Sequence, residues 1–179
     1  MTPEQAQSVL DFWFSHGWDD WWRPNPAFDT EIRDRFFTLW EEQRENLPEH
    51  FLGDADTALA AVILFDQFPR NMFRGHADQF ATDPLALAIA KGVVERAYDD
   101  GMTSERRGFL YMPFQHSEDL ADQRQSLLLF TALGHGEQLD YARKHYQVIE
   151  KFGRFPHRNA VLGRKATALE AAAGDVVPW

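Results

Sequence analysis

The sequence predicts an all-α chain of about eight helices with short connections, and three observations carry that expectation. Apolar residues recur at helical spacing in one segment after another. Capping residues, Pro and Gly stand at the ends of those segments, and no β-branched run alternates with polar residues as a half-buried strand requires. A chain of 179 residues with 44% hydrophobic content is long enough for a sizeable core, so 1–179 is expected to form a single helical domain.

Taken in order, Thr2 as cap and Pro3 at the first position open a helix over 3–14, in which Val9, Leu10, Trp13 and Phe14 share one face. "HGWDDWWRPNP" reads as a loop. Phe28, Ile32, Phe36, Leu39 and Trp40 mark an amphipathic helix that runs to about Asn46. Asp54 caps the next helix, whose segment Ala58–Phe65 is apolar on every face and therefore central, and Pro69 is expected to stop it. Thr82 caps a helix from Leu85 to about Tyr98. A short helix follows over 106–112, stopped by Pro113, and Ser117 caps another that runs through Leu133 to Gly134 and Gly136. Leu139, Ala142, Tyr146, Ile149 and Phe152 mark a helix closed by Gly153, and a last one covers about 165–173. Short connections favour antiparallel neighbours, hence stacked helix hairpins or an irregular bundle. No 34-residue repeat is visible.

Composition removes several function classes. There is no Cys, hence no disulfide, thiolate metal site or cysteine nucleophile. A net charge of −10 repels phosphates, so neither nucleic acid nor an anionic membrane is expected as a partner. The longest apolar run, Ala58–Phe65, is far short of a membrane span, and no leader pattern opens the chain, so the expected location is cytoplasmic. No serine-hydrolase elbow, P-loop or dinucleotide fingerprint is present. Four of the six Trp, at 13, 18, 21 and 22, cluster near the start. They read as a lid on the core or as a ligand-stacking wall.

The chemistry-bearing residues gather at three aromatic-proline junctions. "LFDQFPRNMFRG" (64–75) and "KFGRFPHRN" (151–159) share Phe-x-x-Phe-Pro followed by Arg-Asn, with one His inserted in the second. Met112-Pro113-Phe114 is followed by His116-Ser117-Glu118. Residues 151–165 hold five cations and no acid in an acidic chain. Guanidinium groups grip carboxylate or phosphate through two parallel bonds, so Arg70, Arg74, Arg154 and Arg158, with Asn71, Asn159 and His157, suit a small anion. The plainer alternative is that these cations satisfy helix C-termini, with Asp66 and Arg70 forming an ion pair four residues apart. His116, Glu118 and His157 are the candidates for proton transfer; Glu118 in a first helical turn would also be stabilising without any reaction. Trp13 and Tyr111 are candidates for an aromatic wall. His116 and Glu118 with His145 or His157 form only a weak metal pattern, so no metal and no cofactor are expected.

Taken together, "VLDFWF", "FDQFPRNMFRG", "FLYMPFQHSED" and "GRFPHRNAVLGR" resemble the bacterial domain-of-unknown-function family 924, from about Val9 to Arg164. The resemblance implies a single all-helical domain similar to tetratricopeptide-type helix stacks, and it implies no reaction and no assigned catalytic residues. Two readings of function follow. The first is a pocket for a small anionic carboxylate or phosphate metabolite, with or without a reaction performed on it, in which Asp66, Arg70, Asn71, Arg154, Arg158 and Asn159 orient the ligand. The second is a tetratricopeptide-like module for a peptide or protein, with the Arg and Asn residues as structural caps.

Overall fold

The computed structural model describes residues 1–134 and 136–177, and every regular element among them is helical, with no strand. The all-α expectation is met. The chain forms two compact units, Met1–Leu110 and Tyr111–Trp179.

In the first unit, α1 (Pro3–Phe14) opens with a reciprocal capping box between Thr2 and Gln5 and buries Ala6, Val9, Leu10, Phe12 and Trp13. Asn25 caps α3 (Pro26–Gln43), which presents Phe28, Ile32, Phe36 and Trp40 to the interior. Between them lies a correction: residues expected as loop form α2 (Trp18–Trp22), a single turn with no buried residue. Trp21 holds it, since its indole N–H donates to the Trp13 carbonyl at 3.1 Å and its ring stacks on Trp13 at 5.8 Å. A contact made to α1 overrides the local loop composition.

Asp54 accepts from the Thr57 N–H at 2.8 Å and starts α4 (Ala55–Val62), which packs against α1 and α6 (Asp83–Glu95). Pro69 does not stop this helical run, contrary to the sequence expectation. The ladder instead slips by one residue in a π-helical turn over Ile63–Gln67, where the Phe68 N–H reaches Ile63 O, and resumes as α5 (Phe68–Met72). Pro69 has no N–H for the Phe65 carbonyl four residues back, and the Thr82 hydroxyl donates to that carbonyl at 2.6 Å instead. Trp40 Nε1 donates in turn to Thr82 Oγ1 at 3.2 Å. Thr82 therefore bridges the proline rather than capping α6, where its side chain makes no cap bond. Thr82→Val would orphan both the Phe65 carbonyl and the Trp40 indole, two buried groups, and should cost about 2 kcal/mol in urea unfolding.

Helix α7 (Ser104–His116) carries the boundary at 110/111 and contains Pro113 in its interior, where the sequence predicted a stop. Its end is held by distant side chains: Gln123 Nε2 donates to the carbonyls of Gln115 and Ser117, both at 2.7 Å, and Arg158 donates to His116 O at 3.0 Å. In the second unit, α8 (Leu120–Leu133) packs against α9 (Gly136–Phe152). Asp119, not Ser117, caps α8, while Ser117 Oγ donates to Asp122 at 2.8 Å. Gly153, at φ +70°, closes α9 in the left-handed region and turns the chain into the second Phe-Pro motif. Thr167 and Glu170 make a capping box that starts α10 at Ala168, later than the sequence suggested; α10 is Ala168–Ala173. Val148, Ile149 and Phe155 form an apolar cluster here, with Leu120, Phe152 and Val176 against it.

Candidate functional site

The first motif sits on the π-turn and α5. Asp66 is fully buried and Gln67 donates to it at 2.5 Å. The Arg70 guanidinium lies 3.4 Å from Asp66 Oδ1, donates to the Asp66 carbonyl, and forks onto Asp83 at 3.0 and 3.1 Å. Burial works against its charge, but Asp66 and Asp83 outweigh that and hold it above its ordinary value. Asn71 and Arg74 converge on Asp29: Asn71 donates at 2.7 Å, and Arg74 makes two bonds at 2.9 Å. Both cations of this motif are thus gripped bidentately by carboxylates of the same chain.

The second motif repeats this chemistry around Phe155. Arg154 forks onto Glu170 at 2.7 and 2.8 Å, and Asn159 and the Thr167 N–H also donate to Glu170. Arg154, with these two donors, pulls the Glu170 carboxyl down to about 2. Glu118 accepts two bonds from Arg164, at 2.7 and 3.0 Å, and one from the Phe155 N–H at 2.7 Å. Burial acts to raise its pKa, yet the Arg164 bonds prevail and keep it below the ordinary value. Arg164 also donates to Asn159 Oδ1 and to the Phe155 carbonyl, both at 2.9 Å, which ties the two ion pairs into one network. Arg158, 7% exposed, lies over the Phe155 ring at 4.5 Å.

Three histidines surround this network. The His145 ring packs edge-on to Phe155 at 5.5 Å and lies 6.2 Å from His116, with Nδ1 bonded to the Tyr141 carbonyl at 2.8 Å. The His157 ring lies 5.5 Å from the same Phe155, tilted against it. Burial first, then the charge of neighbours that include His116 and Arg158, pushes His145 down to about 3 and His157 to about 4. At neutral pH both are uncharged imidazoles, and Glu118 is an ionised anchor with both oxygens occupied. Among the described residues no three His, Asp or Glu come together as a metal-binding group.

The sequence-derived candidates therefore fall into two sets. His116, Glu118, Arg154, His157, Arg158 and Asn159 share the second unit, linked through Phe155, Glu170 and Arg164. Asp66, Arg70 and Asn71 belong to the first. Trp13 is 1% exposed among Trp21, Phe28, Phe68 and Phe109, and Tyr111 is buried edge-on to Phe130 at 6.0 Å. Sequence reasoning missed Asp29, Asp83, Arg164 and Glu170 as partners; an acid-to-arginine pairing 13 to 46 residues apart leaves no local trace. Grooves of about 280 Å³, against Gln5 and Arg35, and about 480 Å³, against Phe14 and Arg106, lie in the first unit and are lined by none of the Phe-Pro motif residues.

A model of the bacterial proteins of unknown function DUF924 matches residues 9–173. The chain is similar to a solved structure, the protein of unknown function ATU0120 from Agrobacterium tumefaciens. The two share 39% identity over 97% of this chain and 98% of that one, with a TM-score of 0.88. No curated protein matches. Both Phe-Pro motifs and the side chains that pair with them lie inside the matched region, and the chain belongs to the DUF924 family.

Proposed function

We propose that the chain is a helical interaction module in which the two Phe-Pro motifs are internal clamps. One observation carries this reading: Arg70, Arg74, Arg154 and Arg164 are each held through two bonds by a carboxylate of their own chain. A guanidinium already gripped in this way must give up two charge-assisted bonds before it can take a ligand anion. The clamps fasten α5 to α3 and α6, and the 154–164 loop to Glu118 and α10, leaving outer helix faces to meet a partner.

A competing reading is a pocket for a small anion, and one observation favours it: His116, Glu118, His157 and Arg158 cluster within the second unit, with Arg158 bonded to the His116 carbonyl. Titrating wild type and Arg158→Ala with inorganic phosphate and with citrate, followed by thermal unfolding, separates the two. A module should show no saturable stabilisation by either anion, with Arg158→Ala merely less stable. An anion pocket at about 100 times its dissociation constant would gain about 2.7 kcal/mol, and that gain would vanish in the variant.

A further inference from the structure

Helix α2 is a single turn that displays rings. Trp21 anchors it to α1, while Trp18 and Trp22 are 51% and 43% exposed. Spaced four residues apart, these two indoles share one face of the turn. Trp22 stacks on Phe109 at 6.1 Å, Phe109 meets Phe14 at 5.8 Å, and Phe14 lines the groove of about 480 Å³ together with Leu10, Asp11, Glu105 and Arg106. Trp22 is thus linked, through the buried Phe109, to Phe14 at the rim of a groove within the first unit.

The charges beside these rings are unbalanced. Arg23 pairs with Asp19 at 3.0 Å and Arg106 with Asp56 at 2.8 Å, so both local arginines are neutralised. The Asp20 carboxylate accepts from Asn25 and the Asp11 carboxylate from Gln7. Among the described residues Asp11, Asp20 and Glu105 have no ion-pair partner. Exposed indole faces next to unneutralised carboxylates attract ammonium and guanidinium groups, through the ring quadrupole at short range and the −10 net charge at long range. Arg23 already shows the preference, with its guanidinium 5.6 Å from the Trp18 ring centre.

We propose that the α2 face and its groove form a docking surface for a cationic segment of a protein partner, with Arg or Lys side chains over Trp18 and Trp22. This rests on the interaction-module reading and names its partner class. A chain segment is the occupant because two indoles one helical turn apart, continued by a groove, call for several cations at fixed spacing. A lone amine covers one ring.

The test is calorimetric titration of the full chain with a short synthetic peptide of alternating Arg and Gly, with free arginine and tetramethylammonium as separate arms. Saturable, salt-sensitive peptide binding is expected. It should weaken about tenfold or more in Trp18→Ala/Trp22→Ala and detectably in Asp11→Asn/Glu105→Gln, with each variant keeping its helical circular dichroism and cooperative unfolding. Absence of peptide binding, or equal binding in the tryptophan variant, overturns the proposal. Free arginine or tetramethylammonium binding as tightly as the peptide also overturns it, by making the ligand a small cation. The module reading fails separately, on saturable phosphate or citrate stabilisation lost in Arg158→Ala.

Discussion

Arg70→Ala is expected to lower stability by about 3–5 kcal/mol, because it removes a cation shared by two carboxylates, one of them fully buried. Asp66 is fully buried, and Arg70 also donates to its backbone carbonyl, one of the groups beside the proline-disturbed turn. With the guanidinium gone, Asp66 and Asp83 lose their shared cation. Arg70→Lys should recover only part of the loss, since an ammonium cannot fork onto Asp83 while also reaching Asp66 and its carbonyl. Urea unfolding followed by circular dichroism measures both variants. A loss under about 1 kcal/mol for Arg70→Ala would mean that the guanidinium is free for a ligand, and the clamp reading would fall with it.

Those partners explain how much could be read from sequence. Features set by neighbours in the chain were legible: the Thr2 and Asp54 caps, the Gly153 stop, the apolar Ala58–Phe65 centre and the 66–70 ion pair all depend on residues within eight positions. Pro69 was read correctly as a disturbance and wrongly as an end. Its remedy, Thr82, lies 17 residues past the carbonyl it satisfies. Glu118 read as a candidate for proton transfer, yet Arg164 reaches it across 46 residues and holds it as an ion pair. The same blindness hid Asp29 as the anchor for Arg74, across 45 residues. Similar Phe-Pro-Arg-Asn strings thus marked two well-built places, while which acid faces each arginine depends on tertiary packing that no local period records. The α2 turn was missed for a related reason: five residues carry too little periodicity to reveal a helix held by one indole.

Mild acid should destabilise the second unit through its two buried histidines. His145 and His157 have folded-state pKa values pushed down to about 3 and about 4, against an ordinary value of 6.5. Burial is the leading cause for both; His116 and Arg158 lower both further, while Glu118 partly offsets the shift at His157. The sign follows from which state binds the proton first. Below pH 6.5 the unfolded chain protonates both imidazoles while the folded chain holds them neutral, so stability is complete above that pH and falls as pH drops toward the folded values. For His145, 7% exposed, the loss approaches about 1.4 kcal/mol per pH unit, or roughly 2–3 kcal/mol between pH 6.5 and 4.5. His157, closer to solvent, should add a smaller share because water screens its neighbours. Glu118 and Glu170, both depressed below 4.5, contribute their own loss only at lower pH, so the upper window belongs to the histidines. His145→Gln keeps a donor for the Tyr141 carbonyl but cannot titrate, and should flatten the slope between pH 6.5 and 4.5 while leaving the steeper fall below it. An unchanged slope in that variant would show that His145 is already solvated and charged in the folded chain. The buried, edge-on packing of His145 against Phe155 would then be wrong.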